Sequence, residues 1–337
     1  MFNKVRVLQV FALAGWSGNL MTIPLVTLLI IVGLVDPSPR RRPARPATLQ
    51  CGDPLGFQVL LDRQGFSPGE IDGKLGGNAQ RALAVAQAAH KRSPTGNADC
   101  ETWRAIGGTT SDPLTAPYVI SEEDVKGPFE KTIPRDIEKQ AGLEEMSYRS
   151  VLEKLAERYH AAPGLLLQMN PGAKLVAGET IKVPAVTPFN PGVKPEGDPL
   201  AGEIRVQVEK RESALRVMRA DGSIVFYAPV SSGSIHDPLP VGEWKVLGVS
   251  WHPVFHYNPK LFWDAKANAE KAAIKPGPNN PVGVVWVGLN IEHYGIHGTP
   301  EPSRVGHTES HGCVRLTNWD AARLASLVKP GTAVLFR

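Results

Sequence analysis

Nine histidines occur in the 337 residues, and four of them crowd into HYGIHGTPEPSRVGHTESHGCVRLTN, which begins at His293. The same stretch holds Cys313, two residues after His311 and sixteen after His297. A thiol attacks a carbonyl only as its thiolate, and an ordinary cysteine needs a neighbouring base or cation to reach that state near neutral pH. If His297 ends one strand and Cys313 begins the next, the loop between them folds back and brings imidazole and sulfur together. The Gly312-Cys313 backbone then offers N–H donors to a developing oxyanion. A metal centre suits these residues less well. On an extended strand His293 and His297 stand about 13 Å apart and cannot share an ion. No metal and no cofactor is expected. Ser310 reads as a turn former, Tyr294 and His293 as strand residues packing beside the site, and His307 as a solvated loop residue.

The elements that must position these groups are mostly strands. Residues 204–208, 214–218 and 223–228 alternate apolar and polar side chains, with Asp221-Gly222 as a hairpin signal. Further strands are expected over 241–250, 284–289 and 292–297, then a closing helix over 318–328 with Asn318 as its cap. The intervening 251–280, rich in Pro, Asn and Lys, reads as a lid.

Upstream the chain is modular. Its 33 glycines and 30 prolines exceed the roughly 12% of an average chain and gather between apolar segments, over 36–50, 107–113 and 187–201. Short helices are expected at 57–64, 78–90 and 100–106, the last capped by Asp99. Next come a strand at 118–120, an amphipathic helix at 146–160, a second helix at 163–170 and a strand at 180–184. Cys51 and Cys100 flank the first helical unit. In an oxidising compartment a bridge between them would staple a unit with little core of its own, and two unrelated thiols is the alternative. The net charge of +4 is concentrated at the start, where Lys4, Arg6, Arg40, Arg41, Arg42 and Arg45 stand against Asp36 alone. The rest is close to neutral and carries no phosphate-cradling or nucleic-acid motif, so no nucleic-acid partner is expected. Val7 to Val35 carry no charge, and as a helix would span about 43 Å, more than the ~30 Å hydrocarbon core. Residues 1–35 are therefore expected to be a signal or membrane anchor, and 36–50 an extended Pro/Arg spacer.

Three resemblances organise these readings. His297-Gly298-Thr299 and Ser310-His311-Gly312-Cys313-Val314-Arg315-Leu316, with the upstream Ser231-Ser232-Gly233 and Leu239-Pro240-Val241-Gly242-Glu243-Trp244, resemble the catalytic signature of YkuD-type L,D-transpeptidases. Gly69-Glu70-Ile71-Asp72-Gly73-Lys74-Leu75-Gly76 and the Ala-rich helix after it resemble the three-helix peptidoglycan-binding domain. LAERYHAAPGLLLQMNPG followed by AGETIKVP resembles the LysM module, with 121–145 as an insertion after its first strand. The implied fold is multidomain: a small all-α three-helix module (51–108), a small α+β LysM-like module (116–186), and a mainly-β catalytic domain (202–337).

The transpeptidase resemblance implies roles residue by residue. Cys313 is the acyl-enzyme nucleophile, His297 its base or ion-pair partner, and Gly298 the residue whose carbonyl orients that imidazole. His311 supports the thiolate or the oxyanion pocket, and Arg315 meets a stem-peptide carboxylate by a bidentate pair. Ser310, Gly312 and Tyr294 complete the substrate-binding candidates. The implied partner is peptidoglycan, both glycan strands and stem peptides, met by a monomer held at the membrane through its N-terminal segment. The compartment is extracytoplasmic, the periplasm or cell envelope. Attack at a stem tetrapeptide would make 3-3 cross-links, or attach another amine. L,D-carboxypeptidase activity, with water as acceptor, and a non-catalytic wall-binding role are the alternatives.

Overall fold

The computed structural model describes residues 51–109, 113–197 and 203–337, and the expected anchor and spacer lie outside them. The first module begins where Asp53 accepts the Gly56 N–H (2.7 Å) and Pro54 fills the first turn, starting α1 (Pro54–Arg63). Two helices follow, α2 (Gly77–Ala89) and α3 (Cys100–Ala105), the latter capped by Asp99, which accepts the Thr102 N–H (2.6 Å). A disulfide joins Cys51 to Cys100 with Cα atoms 5.3 Å apart. Phe57, Leu61, Leu83 and Trp103 form the small core, with Phe57 edge-on to Trp103 at 5.0 Å.

In the second module, β1 (Thr115–Val119) pairs antiparallel with β2 (Thr180–Pro184), Tyr118 opposite Ile181. Between them lie α4 (Glu122–Val125), α5 (Ile137–Gln140), α6 (Val151–Arg158) and α7 (Pro163–Met169). The helix expected over 146–160 begins only at Val151, where Ser150 caps it by accepting the Glu153 N–H (3.2 Å). Met146 cannot join that helix because its backbone is taken: its N–H donates to Pro276 (3.0 Å) and its carbonyl accepts from Asn279 (2.9 Å).

The third region supplies β3 (Ile204–Glu209), β4 (Ala214–Arg219), β5 (Ile224–Pro229), β6 (Ser231–Ser232), β7 (Gly242–Trp251), β8 (Phe255–Tyr257), β9 (Ala272–Ile274), β10 (Val285–Leu289), β11 (Gly295–His297), β12 (Val314–Arg315), α8 (Asn318–Leu327) and β13 (Ala333–Phe336). Nine strands form one sheet in the order β5-β4-β3-β13-β7-β10-β11-β12-β6, while β8 and β9 pair separately. Two expectations are corrected here. The strand expected from Glu292 starts at Gly295, because His293 adopts φ +67° and breaks the extended run. The cap of α8 is Thr317, whose hydroxyl accepts the Asp320 N–H (3.2 Å), so Asn318 is the first helical residue.

Strand alternation sorts the sheet into two faces. Val285, Val287, Leu289, Ile296 and Val314 are buried in a core shared with Leu324 and Leu327 of α8, each such side chain contributing about 1.5–3 kcal/mol on burial. The intervening residues face the other way, towards the site. The exposed edge that β5 would present is covered by the first module: Tyr227 donates to the Gly65 carbonyl (2.8 Å) and accepts from the Ser67 N–H (2.9 Å). The described residues all fall in one compact unit, so the modules pack together. Among the described residues no helix is long and apolar enough to cross a membrane.

Candidate active site

β11 and β12 run parallel, with Ile296 opposite Val314 and His297 opposite Arg315. Ile296 and Val314 point into the core, so His297 and Arg315 face the other side of the sheet, and Cys313, two residues before Arg315, shares their face. On the next strand Trp286 lies opposite His297, and the two rings stack at 5.5 Å with 17° between planes. Trp286, Tyr294, His297, His311, Cys313 and Arg315 all line one cleft of about 1320 Å³, whose other walls include residues of 253–257 and 260–266.

His297 is 4% exposed, and its Nδ1 lies 2.6 Å from the Gly298 carbonyl. A carbonyl can only accept, so Nδ1 carries the proton and Nε2 presents its lone pair. Burial, followed by the Arg315 charge, pushes the imidazole pKa down to about 3 against the pull of the Gly298 carbonyl. Burial pushes the Cys313 thiol up, while the Gly295 N–H and Arg315 draw it back. The thiol donates to the His293 carbonyl at 3.6 Å. Both shifts run against the charged forms of the two groups.

The turn into β12 is shaped locally. Ser310 Oγ donates to the Cys313 carbonyl (2.5 Å). Gly312 has φ +97°, and a Cβ there would lie 2.6 Å from the Tyr294 ring, so only glycine fits. His311 has a further partner beyond the signature. Besides lining the cleft with Cys313, it ties the 251–280 segment to the signature: its Nε2 lies 2.9 Å from Asp264 Oδ1 and its ring packs against Phe262 and Trp263. His307 is exposed.

The surrounding modules brace this site. Residues of the 121–145 insertion meet the lid in a small core of Ile133, Ile137, Met146, Tyr257 and Ile274. Lys266 pairs with Asp136 (2.6 Å), the Glu270 N–H donates to Glu138, and Asn279 Nδ2 donates to the Ser147 carbonyl (2.9 Å). The loop between His297 and Cys313 is held from the first module, where Asn78 Nδ2 donates to the Val305 carbonyl (2.9 Å). Sequence reasoning missed Trp286, the His293 carbonyl, the Gly295 N–H and Asp264. Of these only Trp286 left a signal: it occupies the alternate position in a strand whose other face is Val285, Val287 and Leu289.

Cys313 and the buried His297 thus line one cleft on one face of a nine-stranded, mainly-β domain. Residues 203–335 match the family model described as the L,D-transpeptidase catalytic domain, and 56–106 match that described as "Putative peptidoglycan binding domain". The Bacillus licheniformis protein named "Putative L,D-transpeptidase YkuD" is 31% identical over 186 residues, covering 54% of this chain and 91% of the relative. A Bacillus subtilis protein, "Putative L,D-transpeptidase YqjB", is 32% identical over 143 residues, covering 41% and 73%. The chain belongs to the YkuD-type L,D-transpeptidase family and is an L,D-transpeptidase enzyme. Among solved structures, an L,D-transpeptidase from Mycobacterium smegmatis is matched over 40% of this chain and 58% of that one, at 19% identity and TM-score 0.33. L,D-transpeptidase 3 from Mycobacterium tuberculosis is matched over 48% and 76%, at 16% identity and TM-score 0.34.

Proposed function

We propose that this protein is a cysteine-dependent transpeptidase of peptidoglycan stem tetrapeptides. The observation that carries the reading is the shared placement of Cys313 and His297 on one face of the sheet, in one cleft. His297 Nε2 takes the Cys313 proton as sulfur attacks the carbonyl between an L-centre and the terminal D-residue. The N–H groups of Gly312 and Cys313 receive the oxyanion, and Arg315 pairs with the substrate carboxylate. The C–N bond then breaks, the departing amine takes the proton back from His297, and a thioester remains. An amine of a neighbouring stem attacks the thioester, forming the 3-3 link and releasing the thiol.

The second module is read as a LysM-like glycan binder, supported by the order β1, helices, β2. Its 121–145 insertion is read as a brace for the lid. An extracytoplasmic location, with residues 1–35 as signal or anchor, is supported by the disulfide and by the wall polymer as substrate. The test is incubation of the protein with sacculi, followed by muropeptide analysis. Release of the terminal D-residue together with 3-3 dimers is expected, both abolished in Cys313→Ala. Full release by Cys313→Ala overturns the mechanism. Tripeptides without dimers would make the enzyme a carboxypeptidase, and wall binding without either product would make it a binding protein.

A further inference from the structure

Since Thr317 caps α8, the Asn318 side chain is released for another task. Asn318 is 1% exposed, and every polar atom of its amide is engaged. Its Oδ1 accepts the Val284 N–H (3.2 Å), and its Nδ2 donates to the Pro278 carbonyl (3.0 Å) and to Glu157 Oε1 (2.8 Å). Glu157 belongs to α6, in the second module. On its other side the amide is wedged against two glycines. A Cβ on Gly283 would lie 2.0 Å from Asn318 Oδ1, and one on Gly298 2.2 Å from the same atom. Gly298 is the residue whose carbonyl accepts the His297 Nδ1 proton.

We propose that Glu157 and Asn318 are positioning residues for His297, through which the second module fixes the ring orientation and tautomer of the catalytic imidazole. The inference rests on reading His297 as the base. The chain of contacts is short and polar at each end. The Glu157 carboxyl fixes the Asn318 amide, the amide abuts the Gly298 peptide, and the Gly298 carbonyl holds Nδ1–H and leaves Nε2 with its lone pair. Two acceptors on Nδ2 and a donor on Oδ1 permit one amide orientation, and removing Glu157 takes away one of those three constraints. Burial, with Glu153 adding to it against the Asn318 hydrogen bond, pushes the Glu157 carboxyl up to about 8. Glutamine is therefore a close substitute at neutral pH: it has no charge and keeps an acceptor oxygen. No contact between Glu157 and substrate is implied.

The test uses the full chain labelled with ¹⁵N-histidine, the His297 signals being assigned by their loss in His297→Asn. Wild type and Glu157→Gln are expected to show a neutral, Nδ1-protonated His297 down to pH 5, with turnover of a disaccharide tetrapeptide agreeing within about twofold. Glu157→Ala and Asn318→Ala are expected to mix the two tautomers and to lower kcat about tenfold with KM unchanged. Unaltered tautomers and kcat in Glu157→Ala overturn the proposal, as does a tenfold loss in Glu157→Gln. If Glu157→Ala does not fold, Glu157→Met, of similar length but with no oxygen acceptor, carries the same expectation. A wild-type His297 that is not Nδ1-protonated would instead overturn the reading of the base itself.

Discussion

At the scale of single residues, the chemistry depends on two groups whose charges the fold suppresses. Cys313 is held up by burial and His297 is held down to about 3 by burial and Arg315, which disfavours a thiolate–imidazolium pair before substrate arrives. Iodoacetamide reacts with the thiolate. Its rate at Cys313 is therefore expected to climb steadily with pH through 7 to 9, without the acid-side plateau of an ion pair. Such a plateau below pH 7 would contradict the neutral resting state. The imidazole stays unprotonated below the usual histidine range, because it takes up a proton only near pH 3. The sequence disclosed Cys313, His297, Gly298 and Arg315 through their motif. It could not disclose the protonation states, which follow from burial and from a guanidinium on the neighbouring strand.

At the scale of elements, the lid illustrates how position changes a residue's role. His311 sits in the signature beside the nucleophile, yet its partner is Asp264, in the lid. The motif could not reveal this because Asp264 is 47 residues away in sequence. Asp264→Ala is expected to loosen the lid and raise KM for tetrapeptide several-fold, by about 1 kcal/mol of binding, with kcat nearly unchanged; a steady-state titration checks both. The helix at 146–160 was overextended for a related reason. Its apolar periodicity is real, but Met146 pairs through its backbone with Pro276 and Asn279 and the Ser147 carbonyl accepts the Asn279 side-chain amide, and tertiary hydrogen bonds outweigh weak helix propensity. Asn318 reads as a cap on residue type alone, and Thr317, one residue earlier, has the backbone geometry for it.

At the scale of the whole molecule, the three modules meet through buried polar groups. Ser67 of the first donates to Asp320 of α8 (2.9 Å), and His160 of the second pairs with Asp62 (2.9 Å) while stacking on Trp319. Burial pushes the Asp320 carboxyl up to about 7, with Asp62 adding to it and Thr317, Ser67 and His160 opposing. The sign follows directly. The folded state keeps this proton up to about pH 7 while the unfolded chain loses it near 4, so the contribution is full below pH 4 and declines as pH rises to 7. Asp320→Asn is expected to remove that decline, raising Tm at pH 8 by about 2–4 °C per kcal/mol recovered and leaving pH 4 little changed. Thermal melts at the two pH values check it, and an unchanged difference between them would show that Asp320 does not titrate in this interval.

The sequence alone pointed to the candidate site residues and determined the family and most strands, because motif spacing and apolar alternation are local properties of the chain. It also named the two ends of the disulfide as candidates, without deciding their pairing. The tertiary structure decided what those residues touch. The shifted thiol and imidazole, the Asp264 contact of His311, and Glu157 reaching Asn318 from another module arise from contacts between segments far apart in the chain. No local pattern encodes them, since burial and polar pairing are set only once the sheet, the helices and the insertion have packed.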